Sequence, residues 1–294
     1  DSQWYKFILG KPITDALKTI ISPLQDEVFA WVGDTKIRRK NESLIKEEQL
    51  VELKKSLKPG DIIVERRNWF LSNMFITGFW PHAAIYLGTP HDVSAYLDSD
   101  PDVQKYFKGK GFKGVIHYLR QTYPTKFVAW ESANPNDKKE TVIMEAVSEG
   151  VIFNSLEESC GADYVGAMRS RLSKLDIALA LMNAFYYQGR EYDFNFDFWS
   201  EADLVCSELV VKSFAGNGGR GGLTFPSTTV LGKSVVKADG MVVKFDKEFE
   251  TPRQSLDFVY FLRGVENQRK AVVGNVQEFR QSPKWKSGIS GPAD

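Results

Sequence analysis

The run PHAAIYLG, at residues 81–88, constrains the fold more than any other stretch of this chain. An apolar run of this length, bounded by a proline and a glycine, is typical of a buried strand. We therefore predict a strand that begins at His82. An imidazole at the first residue of such a strand would be held in place at the edge of a core.

Further runs predict an α+β fold. The other β-prone stretches are DIIVERR from Asp61, TVIMEAVSEGVIF from Thr141, ADYVGAMR from Ala162, and residues 235–245 and 258–262. Two helices are predicted among them, one from an N-cap at Ser173 to Gly189 and one from an N-cap at Asp203 to Gly216. The second helix, DLVCSELVVKSFAG, contains Cys206 in its predicted first turn.

Breaks in composition divide the chain of 294 residues into three parts. Residues 1–57 have apolar residues at mixed three-to-four spacing, which predicts an N-terminal helical extension. The sequence KPGD at residues 58–61 then starts the main domain, which we place at residues 58–264. Residues 89–140 are rich in Asp, Pro, Gly and Lys and are predicted to be an insertion that borders the site. Residues 265–294 are expected to be a C-terminal tail.

Charge and cysteine content exclude several classes of protein. Lys and Arg together number 38 and so do Asp and Glu, so no overall field favours nucleic acid or an anionic membrane surface. Two cysteines rule out a disulfide framework, although a single bridge stays open. No apolar run approaches the roughly 20 residues that span a bilayer, so we expect a soluble chain. The compartment is left open, because a signal removed from before Asp1 would fit the periplasm or secretion.

Cys206 is the candidate nucleophile. A cysteine in an apolar helix is commonly a buried structural residue, but the first turn of a helix offers free N–H groups and a positive dipole end that favour a thiolate. The same N–H groups could hold an oxyanion. Cys160, in the segment EESCGAD, has no such setting, and we interpret it as structural or merely exposed.

A thiol nucleophile needs a base, and the chain contains only His82, His91 and His117. His91 and His117 fall in the predicted insertion, whereas His82 is fixed at a strand edge and is the best candidate. Glu145 interrupts the apolar run VIMEAV, where an unpaired carboxylate would cost several kcal/mol. Either simple alternation puts Glu145 on a solvent face, or it pairs with His82. The spacing of histidines and cysteines supports no metal site.

Four separated motifs carry a family resemblance. Residues 81–88, then Met144-Glu145-Ala146, then Tyr192-Asp193-Phe194 and then Cys206-Ser207-Glu208-Leu209-Val210 resemble the circularly permuted papain-fold hydrolases of the NlpC superfamily, and the YiiX-like branch looks closest. The resemblance implies an antiparallel sheet or half-barrel packed against helices that include the nucleophile helix. It also implies that Cys206 is the nucleophile, His82 the base and Glu145 the residue that orients the imidazole. Tyr192 either donates to an oxyanion or substrate or only packs.

From this resemblance we expect a cysteine hydrolase that cleaves an amide bond, of the peptide or cell-wall-peptide type, through an acyl-enzyme on Cys206 and without a cofactor. The expected partner is a peptide-like or acyl small molecule, and the oligomeric state stays open. Two alternatives remain. One is a lipid acyl hydrolase or acyltransferase of the lecithin:retinol-acyltransferase-like kind, and the other is a noncatalytic binding domain that keeps the fold.

Overall fold

The computed structural model describes Arg39 and residues 42–70, 78–147, 149–190, 202–216, 219–230 and 233–285. The strands in these ranges are β1 (Asp61–Arg66), β2 (His82–Tyr86), β3 (Thr141–Val147), β4 (Gly150–Ser155), β5 (Tyr164–Ser170), β6 (Ser227–Val230), β7 (Lys233–Val236), β8 (Leu256–Val265) and β9 (Lys270–Val273). The α-helices are α1 (Glu47–Ser56), α2 (Pro90–Val93), α3 (Pro101–Lys108), α4 (Val115–Thr122), α5 (Pro124–Glu131), α6 (Leu156–Cys160), α7 (Lys174–Tyr187), α8 (Ala202–Ser213), α9 (Ala238–Glu248) and α10 (Val276–Gln281). A π-helix covers Ser94–Asp98, and 3₁₀-helices cover Glu266–Gln268 and Ser282–Lys284.

Seven strands form one antiparallel sheet in the order β4-β3-β2-β1-β5-β8-β9, and β6 and β7 form a separate hairpin. The sheet is not closed into a barrel, because its first and last strands in this order are edges. This arrangement confirms the α+β class and the antiparallel sheet packed against helices.

The strand register places three polar residues close together at one end of the sheet. Strand β2 lies between β1 and β3, with Glu65 opposite His82 and with Ala84 opposite Glu145. Directly opposed residues of an antiparallel pair share a face, and diagonal neighbours are within reach of long side chains. Glu65 and Glu145 therefore flank His82 from the two adjacent strands.

Each face of the sheet has its own apolar core. One face packs against α1 and α6 and includes Ile63 and Ala84 of the central strands. The other face includes Ile62 and Ile85 and packs against α7 and α8 together with helices of the predicted insertion. A strand covered on both sides must be apolar at successive positions, which explains the unbroken run from Ala83 to Leu87.

The predicted insertion is mostly helical. Helices α2 to α5 and the π-helix bury residues in the same core as the sheet, namely Val93, Leu97, Val103, Phe107, Val115, Leu119, Phe127 and Trp130. The segment joins the sheet after Tyr86 and before Thr141, which lie at the strand ends away from His82. Its last loop contacts β4 through a hydrogen bond from Asn134 to Asn154, and the expectation that the segment borders the site stays a prediction. Its exact limits stay a prediction.

Two expectations about the C-terminal part need correction. Residues 235–245 were expected to form a strand, but only β7 is extended and α9 follows it. The reason is the spacing of Ala238, Met241, Val242 and Phe245, which are all buried on one side of the helix. Beyond residue 264, where a tail was expected, β9 pairs with β8 and α10 buries Phe279 completely.

The described part of the N-terminal extension is anchored to the main domain. Helix α1 buries Leu50 and Leu53, as its apolar spacing predicted. Before it, Arg39 forms a two-fold ion pair with the buried Asp163 and a second pair with Glu266. The rest of the predicted helical extension, residues 1–38 and 40–41, lies outside the described residues.

Candidate active site

His82 and Glu145 are in direct contact. The distance from His82 Nε2 to Glu145 Oε2 is 2.8 Å, and the two side chains are 16% and 4% exposed. The structure thus brings together the predicted base and the residue predicted to orient it. Because Nε2 faces the carboxylate, the other ring nitrogen, Nδ1, is left to face a different partner.

Glu145 receives hydrogen bonds at both carboxylate oxygens. Asn154 Nδ2 donates to Oε1 at 2.6 Å, and Ser159 Oγ donates to Oε2 at 3.0 Å, the oxygen that also faces His82. Burial raises the pKa of Glu145, but the bond and charge of His82, with help from Asn154 and Arg67, outweigh it and lower that pKa to about 2. A solvent-facing Glu145, the alternative left open by alternation, is therefore not what the fold contains.

Cys206 approaches His82 from helix α8, which contacts β2 and β3. Its sulfur lies 3.9 Å from the carbonyl oxygen of Pro81, the residue before His82. Burial lowers the pKa of His82, but the charge of Cys206 and a side-chain hydrogen bond to it, together with Glu145, raise that pKa well above its ordinary value. The imidazole is thus held between a thiol and a carboxylate.

The start of α8 differs from the prediction. The helix begins at Ala202, so Asp203 lies inside it and Cys206 is its fifth residue. Only the first four N–H groups of a helix lack an intrahelical acceptor. These free groups precede Cys206 rather than include it, which weakens the expectation that they hold an oxyanion next to its sulfur.

Neither cysteine forms a disulfide bond, and both are fully buried. Cys160 ends α6, and burial, with the nearby charges of Glu65 and Glu145, raises the pKa of its thiol well above the ordinary value. This environment suits a structural cysteine and excludes the exposed alternative. Cys206 has no exposed surface either.

Two charged residues near the His82–Glu145 pair were not predicted from the sequence. Glu65 lies opposite His82 in β1, burial raises the pKa of its carboxyl, and Arg67 Nε donates to its Oε2 at 3.2 Å. Arg67 Nη2 also donates to the carbonyl of Ser159 at 3.0 Å. The signal for Glu65 was present, because it interrupts the apolar run DIIVERR as Glu145 interrupts VIMEAV.

The main chain that leads into His82 is fixed by a half-buried carboxylate, that of Asp239. Asp239, in the first turn of α9, accepts hydrogen bonds from the backbone N–H groups of Phe79 and Trp80, both at 2.8 Å. Gly78 has a φ of 122°, and a Cβ there would lie 1.9 Å from Asp239 Oδ2. This position therefore requires glycine for its backbone conformation and for space.

His91 and His117 lie in α2 and α4, within the predicted insertion, and neither is brought to His82. Tyr192 lies outside the described residues, so its proposed role stays a prediction. Among the residues that the structure describes, no group of three or more His, Cys, Asp or Glu side chains could hold a metal ion. In the same residues no helix is long and apolar enough to cross a membrane.

The structure contains an antiparallel sheet with His82 and Glu145 on neighbouring strands, and Cys206 follows them in the sequence on a packed helix. This is the arrangement that the resemblance to permuted papain-like hydrolases implies. Residues 56–287, well over half of the chain, match the family described as "Permuted papain-like amidase enzyme, YaeF/YiiX, C92 family". The chain belongs to this family of amidases, which confirms the resemblance and the hydrolase class. No curated protein and no solved structure gives a significant match to the chain.

Proposed function

We propose that this protein hydrolyses amide bonds through a thioester on Cys206. The sulfur attacks the carbonyl carbon of the amide, and the proton held by His82 passes to the leaving nitrogen, which departs as an amine. Water then gives a proton to the imidazole and attacks the thioester, which releases a carboxylic acid and restores the thiolate–imidazolium pair. Glu145 holds the imidazole and stabilises its charged form.

The observation that carries this proposal is the position of His82 between two partners. Glu145 lies 2.8 Å from Nε2, and Cys206 raises the pKa of the imidazole through its charge and a hydrogen bond. An imidazole in contact with a cysteine side chain can exchange a proton with it, which is what a thiol nucleophile requires of its base. A histidine with a purely structural role would not need contact with a cysteine side chain. It would also not need a buried carboxylate that is kept charged.

The proposed substrate is a peptide-like amide, such as a cell-wall peptide. Membership in an amidase family supports an amide rather than an ester. The lipid alternative has less support, because the balanced charge of 38 cationic and 38 acidic residues offers no general attraction to an anionic bilayer. A noncatalytic binding domain would have no need to keep His82, Glu145 and Cys206 together.

The test compares the protein with Cys206→Ala and with the matched control Cys160→Ala. Each is incubated with a panel of peptide amides and, separately, with phospholipid vesicles, and released amine and covalent adducts are measured by mass spectrometry. We expect amine release that is lost in Cys206→Ala and kept in Cys160→Ala. Adducts on Cys206 from vesicles alone would favour the lipid alternative. Full activity of Cys206→Ala would refute the thioester.

A further inference from the structure

We propose that Asn154 is a positioning residue for the reaction, and that it couples the predicted insertion to the imidazole of His82 through Asn134. The inference rests on the proposed function, since it concerns how Glu145 is held against His82. It assigns a role to a half-buried asparagine and to the last loop of the insertion.

The hydrogen bonds of Asn154 allow only one orientation of its side-chain amide. Its Oδ1 accepts a hydrogen bond from the backbone N–H of Ser155 at 2.9 Å, which identifies that atom as the oxygen. The Nδ2 group is then the atom that faces Glu145 Oε1, 2.6 Å away. Because this is a donor against a carboxylate, it is a charge-assisted bond of the stronger kind.

Asn134 belongs to the loop after α5 and is 2% exposed. Its Oδ1 accepts from the backbone N–H of Asn136 at 2.8 Å, so its Nδ2 group must be the donor to Asn154 Oδ1. A second contact docks the same loop on β4, since Ser155 Oγ donates to Asp137 Oδ2 at 2.5 Å. The donors thus run in one direction, from Asn134 through Asn154 to Glu145.

Asn154 affects the imidazole of His82 through the orientation of the Glu145 carboxylate. Glu145 has two oxygens, and the one that faces His82 also accepts from Ser159. Asn154 is the donor that holds the other oxygen and so fixes the rotation of the carboxylate about its last bond. A carboxylate that can rotate presents its oxygen to Nε2 less often, and the imidazole then meets the sulfur in a wider range of orientations.

The sharpest perturbation is Asn154→Asp, which keeps the shape and the acceptor toward Ser155 but replaces the donating amide by an oxygen. We expect kcat for amide hydrolysis to fall by roughly ten- to a hundredfold with little change in KM, because orientation is lost and substrate binding is not. The Hε2 proton of His82, followed by nuclear magnetic resonance, should move upfield as its bond to Glu145 weakens. Asn134→Ala should move the same resonance in the same direction by a smaller amount.

Asn136→Ala is the matched control, because this exposed asparagine in the same loop contributes its backbone N–H, which alanine retains. It should leave both kcat and the His82 resonance unchanged. The proposal is overturned if folded Asn154→Asp, checked by its melting temperature, keeps the wild-type resonance and kcat. The resonance needs no substrate, so it tests the positioning role even if Cys206→Ala were fully active and the proposed function failed. A changed melting temperature alone would mark Asn154 as merely structural and would also overturn it.

Discussion

Replacing Glu145 by glutamine should destabilise the protein in a way that depends on pH. The change removes one negative charge but keeps the length and shape of the side chain. Glutamine has one oxygen, whereas His82, Asn154 and Ser159 all direct donors at this position. At least one buried donor would lose its acceptor or face an NH₂ group, which is costly in a site that is only 3% exposed.

The magnitude follows from the shift in the pKa of Glu145, from 4.5 to about 2. At about 1.4 kcal/mol for each pKa unit, this shift corresponds to about 3.5 kcal/mol of stabilisation. The raised pKa of His82 reflects in part the same interaction, so the two shifts are not added. About 3.5 kcal/mol is therefore an upper value for the loss of unfolding free energy that the missing charge causes.

The sign of the pH dependence differs for the two partners. The folded-state pKa of Glu145 is lowered, so its contribution is complete above the unfolded value and disappears as the pH falls through 4.5 toward 2. The folded-state pKa of His82 is raised, so its contribution is complete below 6.5 and disappears as the pH rises through the higher folded value. The pair therefore stabilises the protein most between about pH 5 and 6.

Urea unfolding of both proteins between about pH 3 and 8 measures this dependence. The free energy of unfolding of the wild type should exceed that of Glu145→Gln most near pH 5 to 6. This difference should shrink toward pH 3. Glu140→Gln is the matched control, because Glu140 pairs with Lys54 at 2.7 Å with both side chains exposed, which contributes at most about 1 kcal/mol. If the difference in unfolding free energy between the wild type and Glu145→Gln were the same at every pH, the ion pair would be refuted. The difference would then come from packing alone.

Three further outcomes are expected. Iodoacetamide should label Cys206 faster than Cys160 at neutral pH, because burial raises the pKa of the Cys160 thiol, and equal rates in folded protein would contradict a thiol activated by His82. Glu65→Gln should lower the pKa of His82 in a nuclear magnetic resonance titration, because it removes a negative charge opposite the imidazole, and an unchanged value would exclude Glu65 from the site. Phe279→Ala should cost roughly 3–5 kcal/mol in urea unfolding, because the ring is fully buried, whereas a cost below about 1 kcal/mol would mean that residues after 264 do not belong to the core.

His82 and Glu145 could be singled out from the sequence because each disturbs a regular pattern. His82 begins an apolar run and Glu145 interrupts another, so burial alone called for a partner. Cys206 lies in a helix that its caps and apolar spacing delimit, although the start of that helix was misplaced by the reliance on Asp203 as its cap. Such features are local and can be read without knowing the fold.

The residues that were missed depend on contacts between distant segments. Asn154 and Ser159 are polar residues in half-exposed or short elements, where a polar residue needs no explanation. Their importance comes only from the strand register that sets β4 and α6 beside Glu145. Strand β9 was missed for a related reason, because KAVV is too short to suggest a strand until β8 pairs with it.

The strand register allows a long segment, the predicted insertion, to lie between His82 and Glu145 in the sequence. His82 and Glu145 are 63 residues apart in sequence, yet each lies on a strand of a β2–β3 pair. Closing a longer loop costs little, because each doubling of its length adds only about 0.6 kcal/mol. The helices of the insertion offset this cost by burying aromatic side chains such as Phe107 and Trp130 in the main core, each worth roughly 2–3 kcal/mol. A segment inserted here can therefore change in sequence and length while the sheet keeps His82 and Glu145 together, provided that its last loop still presents Asn134 to Asn154.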